Sequence, residues 1–168
     1  MTFLTILLLF TVAVTCFADT TVYRGTACGW ADPSSTTPVL CNGFNPRRGC
    51  PPGHSQQVFK DGVAYCYKTN TTTEKEGSIL GTLCGGLARA LCGGFSPNEK
   101  CPPGYTQVDQ WICSKSDPEM EDVSGTVCGV VSDFVGQTCD GLPLRTCPDG
   151  YYPVDFEKEW DWHACFKK

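Results

Sequence analysis

Hydrophobic side chains fall into one continuous run at the start of the chain and thereafter into short stretches broken by Gly, Pro and Cys. The run spans Phe3 to Phe10, trails to Val14, and lies within 18 residues that carry no charged side chain and close on Cys16-Phe17-Ala18. It is short for the roughly 20 residues that a membrane span needs. Small residues three and one positions before Asp19 mark residues 1–18 as a signal peptide cut after Ala18. No later stretch is apolar enough to span, so the expectation is a secreted, extracellular protein without membrane insertion after cleavage.

Period-two patterns dominate the rest. Ser55–Lys60 and Val63–Lys68 flank Asp61-Gly62, which predicts a β-hairpin closed by a type I′ turn. Thr106–Val108 and Trp111–Lys115 make a shorter hairpin, and Tyr152 to Phe166 the longest. In the longest, Asp155, Glu157, Glu159 and Asp161 alternate with Phe156, Lys158, Trp160 and Trp162, so an extended strand places carboxylates on one face and mostly rings on the other. Two places keep a helical 3,4 spacing instead: Leu87 and Leu91 with Ala88 and Ala90 between them, and Val131, Phe134 and Val135. A short helical turn is expected at each.

These elements belong to a unit that the chain writes three times. It opens with Gly-Thr-x-Cys-Gly at Gly25–Gly29, Gly81–Gly85 and Gly125–Gly129, continues through LCNGFNPRRGCPPGH (40–54), LCGGFSPNEKCPPGY (91–105) and TCDGLPLRTCPDGY (138–151), and ends in Cys-x-Lys. The middle segment keeps Gly43, Gly94 and Gly141 and then Pro46, Pro97 and Pro143 in nearly matching places, so it reads as a rigid turn. Pro51-Pro52-Gly53, Pro102-Pro103-Gly104 and Pro148-Asp149-Gly150 suit type II turns, with His54, Tyr105 or Tyr151 packed over them. The resulting boundaries are repeat 1 at 19–68, a linker at 69–77, repeat 2 at 78–115, an acidic linker at 116–123, and repeat 3 at 124–168.

Of 13 cysteines, 12 remain once Cys16 leaves with the signal, four to each repeat. They are Cys28, Cys41, Cys50 and Cys66, then Cys84, Cys92, Cys101 and Cys113, then Cys128, Cys139, Cys147 and Cys165. An even count at repeated spacing in a secreted chain implies two bridges per repeat. Three connectivities are open in each, and the near-constant middle spacing leans toward first with third and second with fourth. A unit this small rarely folds on a hydrophobic core alone, and closing a loop of ~15 residues contributes roughly 3 kcal/mol. The expected fold class is therefore small, disulfide-rich and mainly β or irregular: three tandem four-cysteine modules, each ending in a hairpin and held by its bridges rather than by a continuous core.

Formal charge is −5, distributed as +2, −4 and −3 over residues 19–73, 74–123 and 124–168. No basic stripe exists, which excludes nucleic acid and anionic lipid as partners. No CxxC pair occurs, and the two histidines, His54 and His163, lie in different repeats, so neither a metal nor another cofactor is expected. GxSxG, HExxH and P-loop motifs are absent, and His163 near Asp161 has no nucleophile beside it. It reads as a surface histidine, and the chain as a non-enzyme with no catalytic residue.

Two candidate surfaces remain. Trp160 and Trp162 either offer contact area to an extracellular protein or carbohydrate or serve as the rings of a small core. Arg47, Arg48, Lys100 and Arg145 place a basic residue between the second and third cysteines of every repeat, the position of a P1 residue in a serine-protease inhibitor, although exposed loops carry such residues routinely. Asn70-Thr71-Thr72 is an N-glycosylation sequon. Extracellular binding or structural interaction is the expected role, with protease inhibition as the alternative.

Overall fold

Glycine and cysteine placement leaves the backbone little but strand and turn. The computed structural model describes residues 20–74, 80, 82–86, 90–109, 111–117, 122–132, 135–157 and 162–168. The expected signal peptide and Trp160 lie outside them. In chain order the strands are β1 (Thr20–Val22), β2 (Ala27–Ala31), β3 (His54–Val58), β4 (Ala64–Lys68), β5 (Thr72–Glu74) and β6 (Leu83–Cys84). They continue with β7 (Tyr105–Asp109), β8 (Ile112–Lys115), β9 (Val127–Ser132), β10 (Val135–Gln137), β11 (Tyr151–Glu157) and β12 (Trp162–Lys167). Cys139–Gly141 forms a turn in which Asp140 and Gly141 are left-handed, at φ of +52° and +70°, and among the described residues no helix is long and apolar enough to cross a membrane.

Three sheets repeat one design, with orders β2-β4-β3, β6-β8-β7 and β10-β9-β12-β11. In each, the Cys-x-Lys strand lies between the Gly-Thr-x-Cys-Gly strand and the first strand of its hairpin. First and fourth cysteines therefore sit directly opposite: Cys28 to Cys66, Cys84 to Cys113, Cys128 to Cys165. They are not bonded to each other. The six bridges join first to second and third to fourth, as Cys28–Cys41, Cys50–Cys66, Cys84–Cys92, Cys101–Cys113, Cys128–Cys139 and Cys147–Cys165. This corrects the interlocked pairing to which the spacing leaned. The reason is two tight returns. The chain folds back after the first cysteine, pairing Trp30 with Val39, Gly86 with Ala90 and Val130 with Gln137, which sets the second cysteine beside the first. The type II turn sets the third beside the fourth. Those turns form as the sequence predicts, with Gly53, Gly104 and Gly150 at φ of +77°, +76° and +81°. The amides of His54, Tyr105 and Tyr151 donate to Pro51, Pro102 and Pro148 carbonyls at 3.1 Å.

Other local expectations change. In the first hairpin only Gly62 takes a positive φ, and Phe59 and Val63 close a three-residue loop, Phe59 N donating to Val63 O at 2.8 Å and Gly62 N to Phe59 O at 2.9 Å. That is a type I turn with a G1 bulge rather than type I′. The type I′ geometry appears after the second cysteine, where Asn42-Gly43 and Gly93-Gly94 are both left-handed and Cys41 exchanges backbone hydrogen bonds with Phe44, and Cys92 with Phe95. Val131 and Val135 belong to strands β9 and β10, not to a helical turn; Phe134 and residues 87–89 lie outside the described set. A bridge from Cys128 to Cys139 forces the chain out and back along one edge, which a hairpin does and a helical turn does not. The stretch 69–77 supplies β5, paired with β1, instead of serving wholly as linker.

Beside the six bridges the repeats share one apolar core, where separate small cores were expected. One cluster joins Ala27, Phe59 and Tyr65 to Leu83 and Ala90 and to Val127, Val130 and Phe166, so all three repeats contribute to it. Around it the Gly-Thr-x-Cys-Gly segments bridge in a closed cycle, Cys28 to Thr82, Cys84 to Thr126, Cys128 to Thr26. The motif's glycine permits that contact. A Cβ on Gly25 would lie 2.6 Å from the Thr138 carbonyl oxygen, and one on Gly125 1.9 Å from that of Leu91. The motif's threonine seals the turn before it, Thr26 and Thr126 hydroxyls each donating at 2.8 Å to the carbonyls of Tyr23 and Val123.

Candidate functional site

The middle segment of each repeat is the most constrained stretch of surface. In the first two repeats its type I′ turn is anchored by the cysteine that opens it and by a buried proline behind it, Pro46 or Pro97; in the third, Pro143 is exposed. The side-chain amides of Gln56 and Gln107 donate to those prolines' carbonyls, the second at 2.6 Å. On this scaffold apolar side chains face outward: Leu40 is 44 % exposed, Phe44 45 %, and Leu91, which repeats Leu40, 50 %. Phe95, repeating Phe44, is half-buried and carries the Lys100 ammonium 4.7 Å over its ring. In the third repeat Thr138 and Leu142 take these places, both half-buried.

The four basic residues do not converge. Arg47, Arg48, Lys100 and Arg145 are exposed on three separate loops. Two of the loops close as helical turns: Arg48 N donates to Asn45 O at 2.8 Å, and Lys100 N to Ser96 O at 3.0 Å. Arg145 has a left-handed backbone, φ +64°, and its guanidinium lies 3.7 Å from the Asp155 carboxylate. Trp162 is half-buried with its ring centroid 4.9 Å from that of Phe59, at the margin of the central core. Asn70 is exposed.

His163 is not a surface residue. It is 5 % exposed and its Nδ1 lies 2.5 Å from Asp155 Oδ1, its cross-strand partner in β11. Histidine, aspartate and Arg145 together tie the third hairpin to the 140–147 loop. The other histidine, His54, comes within 4.8 Å of the Cys28 and Cys41 sulfurs, but those sulfurs are spent on each other and offer no metal a thiolate.

A buried ion pair escaped sequence reasoning. Lys115 is almost fully buried, its ammonium 3.4 Å from the Asp122 carboxylate, and Lys167 Nζ donates to the Asp122 carbonyl at 2.7 Å. The recurring Cys-x-Lys was the signal, and Asp122 sits in the stretch read as an acidic linker. Nearby, burial pushes the Tyr105 phenol up to about 12, with the Asp122 charge adding to it, and raises those of Tyr65 and Tyr151 further. The groups that this arrangement orders are structural clamps, while the apolar groups it leaves exposed are held rigid. The chain matches no known protein family, and no characterised protein or solved structure shows significant similarity to it.

Proposed function

We propose that the chain is a secreted, disulfide-stabilised glycoprotein of three tandem four-cysteine repeats that acts by binding an extracellular partner, without catalysis. The observation that carries this reading is the outward placement of Leu40, Phe44 and Leu91 on turns locked by disulfides and buried prolines. Exposed apolar side chains of this kind supply contact area in protein interfaces. Holding them rigid lowers the entropy lost on association. Aliphatic and phenyl groups on a firm turn suit a protein surface better than a sugar, so a protein partner is favoured over a carbohydrate.

Protease inhibition ranks second because of loop conformation. Proteases take the peptide they cut in extended form, whereas the Arg47-Arg48 and Lys100 segments are wound into turns behind a buried proline. The test uses labelled protein on cell-surface and extracellular-matrix preparations, beside an assay of trypsin inhibition. Leu40→Ser, Phe44→Ser and Leu91→Ser combined, with the native bridges intact, should abolish surface binding. Full retention of binding by that variant would overturn the proposed surface. Inhibition of trypsin that Arg48→Ala or Lys100→Ala removes would establish the alternative.

A further inference from the structure

We infer that the groove between the second and third repeats receives an extended peptide of a partner protein, one that carries a carboxylate beside an apolar side chain. This rests on the binding role just proposed and names the chemistry of the partner. Leu91 of the second repeat and Tyr152, Val154, Lys167 and Lys168 of the third line a shallow groove open to solvent. Leu91 is 50 % exposed and Tyr152 37 %, so the groove presents two large apolar side chains beside its lysines. Among the described residues no carboxylate side chain lines the groove. Asp122, close to Lys167, has its carboxylate engaged by buried Lys115, and its carbonyl accepts from Lys167 Nζ at 2.7 Å, which leaves the exposed Lys168 as the cation open to a partner. In a chain of net charge −5, this is a local cationic spot beside an apolar one.

The molecule itself shows how such a groove is filled. Gly93 N donates to Ser124 O, and Asp140 N to Arg24 O, each at 2.7 Å, so Ser124 and Arg24 hold equivalent places at two contacts between repeats. Between the third and first repeats the Arg24 side chain lies over Gly141, where a Cβ would come within 1.7 Å of a guanidinium nitrogen. Between the second and third, Ser124 is short, and a Cβ on Gly94, the counterpart of Gly141, would meet nothing within 4 Å. At one contact a side chain of the chain itself covers the turn glycine; at its counterpart the glycine is left uncovered. Addition of the peptide as a further strand is disfavoured, because β11 is the outer strand of its sheet and contains Pro153, which has no N–H to donate. Recognition therefore falls to the side chains: an apolar group against Leu91 and Tyr152, and an acid toward the lysines.

The probe is the peptide acetyl-Glu-Leu-Glu-Phe-Glu-amide, titrated into the full mature chain and followed by NMR. Shifts confined to Leu91, Tyr152, Val154 and Lys168 are expected, saturating with a dissociation constant below about 1 mM. The same peptide with Lys in place of each Glu should bind at least tenfold more weakly. Ser124→Arg should abolish binding by filling the groove as Arg24 fills its counterpart, with the remaining spectrum and the disulfides unchanged; Lys168→Glu should weaken it about tenfold. Equal binding of the Lys peptide, unchanged affinity of Ser124→Arg, or shifts at Leu40 and Phe44 instead would overturn the inference. So would saturable binding of dodecanoate without peptide binding, or a dimer in sedimentation that Ser124→Arg dissociates. If the groove fails while the Leu40, Phe44 and Leu91 variant still loses surface binding, the wider binding role survives; if both fail, both fall.

Discussion

At the scale of single residues, what the motif conserves within this chain is space. Gly25 and Gly125 sit at φ of +96° and +88° where a neighbouring repeat's carbonyl comes closer than any Cβ allows. Gly94 has an equally left-handed φ of +82° but faces open space. Gly94→Ala should cost only the backbone strain, about 1 kcal/mol. Gly125→Ala adds a displacement of the Leu91 carbonyl and should lower the thermal midpoint far more, or block secretion; equal melting of the two variants would show that the contact is not required. Tyrosine ionisation gives a second test. The raised phenols of Tyr65, Tyr105 and Tyr151 mean that the folded state holds protons that the unfolded chain releases near pH 10. Their contribution is complete below that pH and is lost as pH rises through about 12 for Tyr105. Tyrosinate absorbance should therefore rise in step with loss of near-ultraviolet dichroism above pH 10, and ionisation of all tyrosines in a still-folded protein would contradict this burial. Residue types alone do not reveal such positions: His163 looked exposed because Asp161 was its near neighbour in sequence, whereas register brings it Asp155 instead.

At the scale of elements, hairpins and proline turns were legible because their signals are local. Alternation marked β3 with β4 and β11 with β12, and Pro-Pro-Gly marked the type II turns. The bulged turn at Gly62 was misread because Asp-Gly serves both loop lengths, and the choice is made by pairing of Phe59 with Val63 across it. Disulfide connectivity was not legible at all, since four sulfurs gather at one point in each repeat and only the two tight returns decide which pairs bond. The pairing has a direct check. No Lys or Arg lies between Cys28 and Cys41, so tryptic cleavage of the unreduced, denatured protein should release a free peptide from Gly25 to Arg47 with its own internal bridge. Interlocked pairing would instead leave that peptide joined to both the one containing Cys50 and the one containing Cys66.

At the scale of the whole molecule, the sequence repeat suggested three beads, and the structure places their apolar residues in one cluster. The period itself carries no information on whether units stack or stand apart; that depends on close approach at Gly25 and Gly125 and on side chains reaching across. Tyr65 is the clearest case. Its hydroxyl donates to the Val130 carbonyl at 3.0 Å and its ring lies 5.6 Å from Phe59, so a first-repeat residue completes a third-repeat strand. Among the described residues the second repeat places only Leu83 and Ala90 in the buried part of this cluster, little for a unit of its size to fold on by itself. Residues 78–115 produced alone, with both bridges formed, should accordingly show no protected amides. The entire chain should melt in one transition, not three. Removing one bridge by Cys101→Ala with Cys113→Ala frees a loop of sequence separation 12 and should shift that single transition downward by roughly 3 kcal/mol. A separate early transition confined to the second repeat, or a folded 78–115 fragment, would mean that the repeats are independent and that the common core contributes little to holding them together.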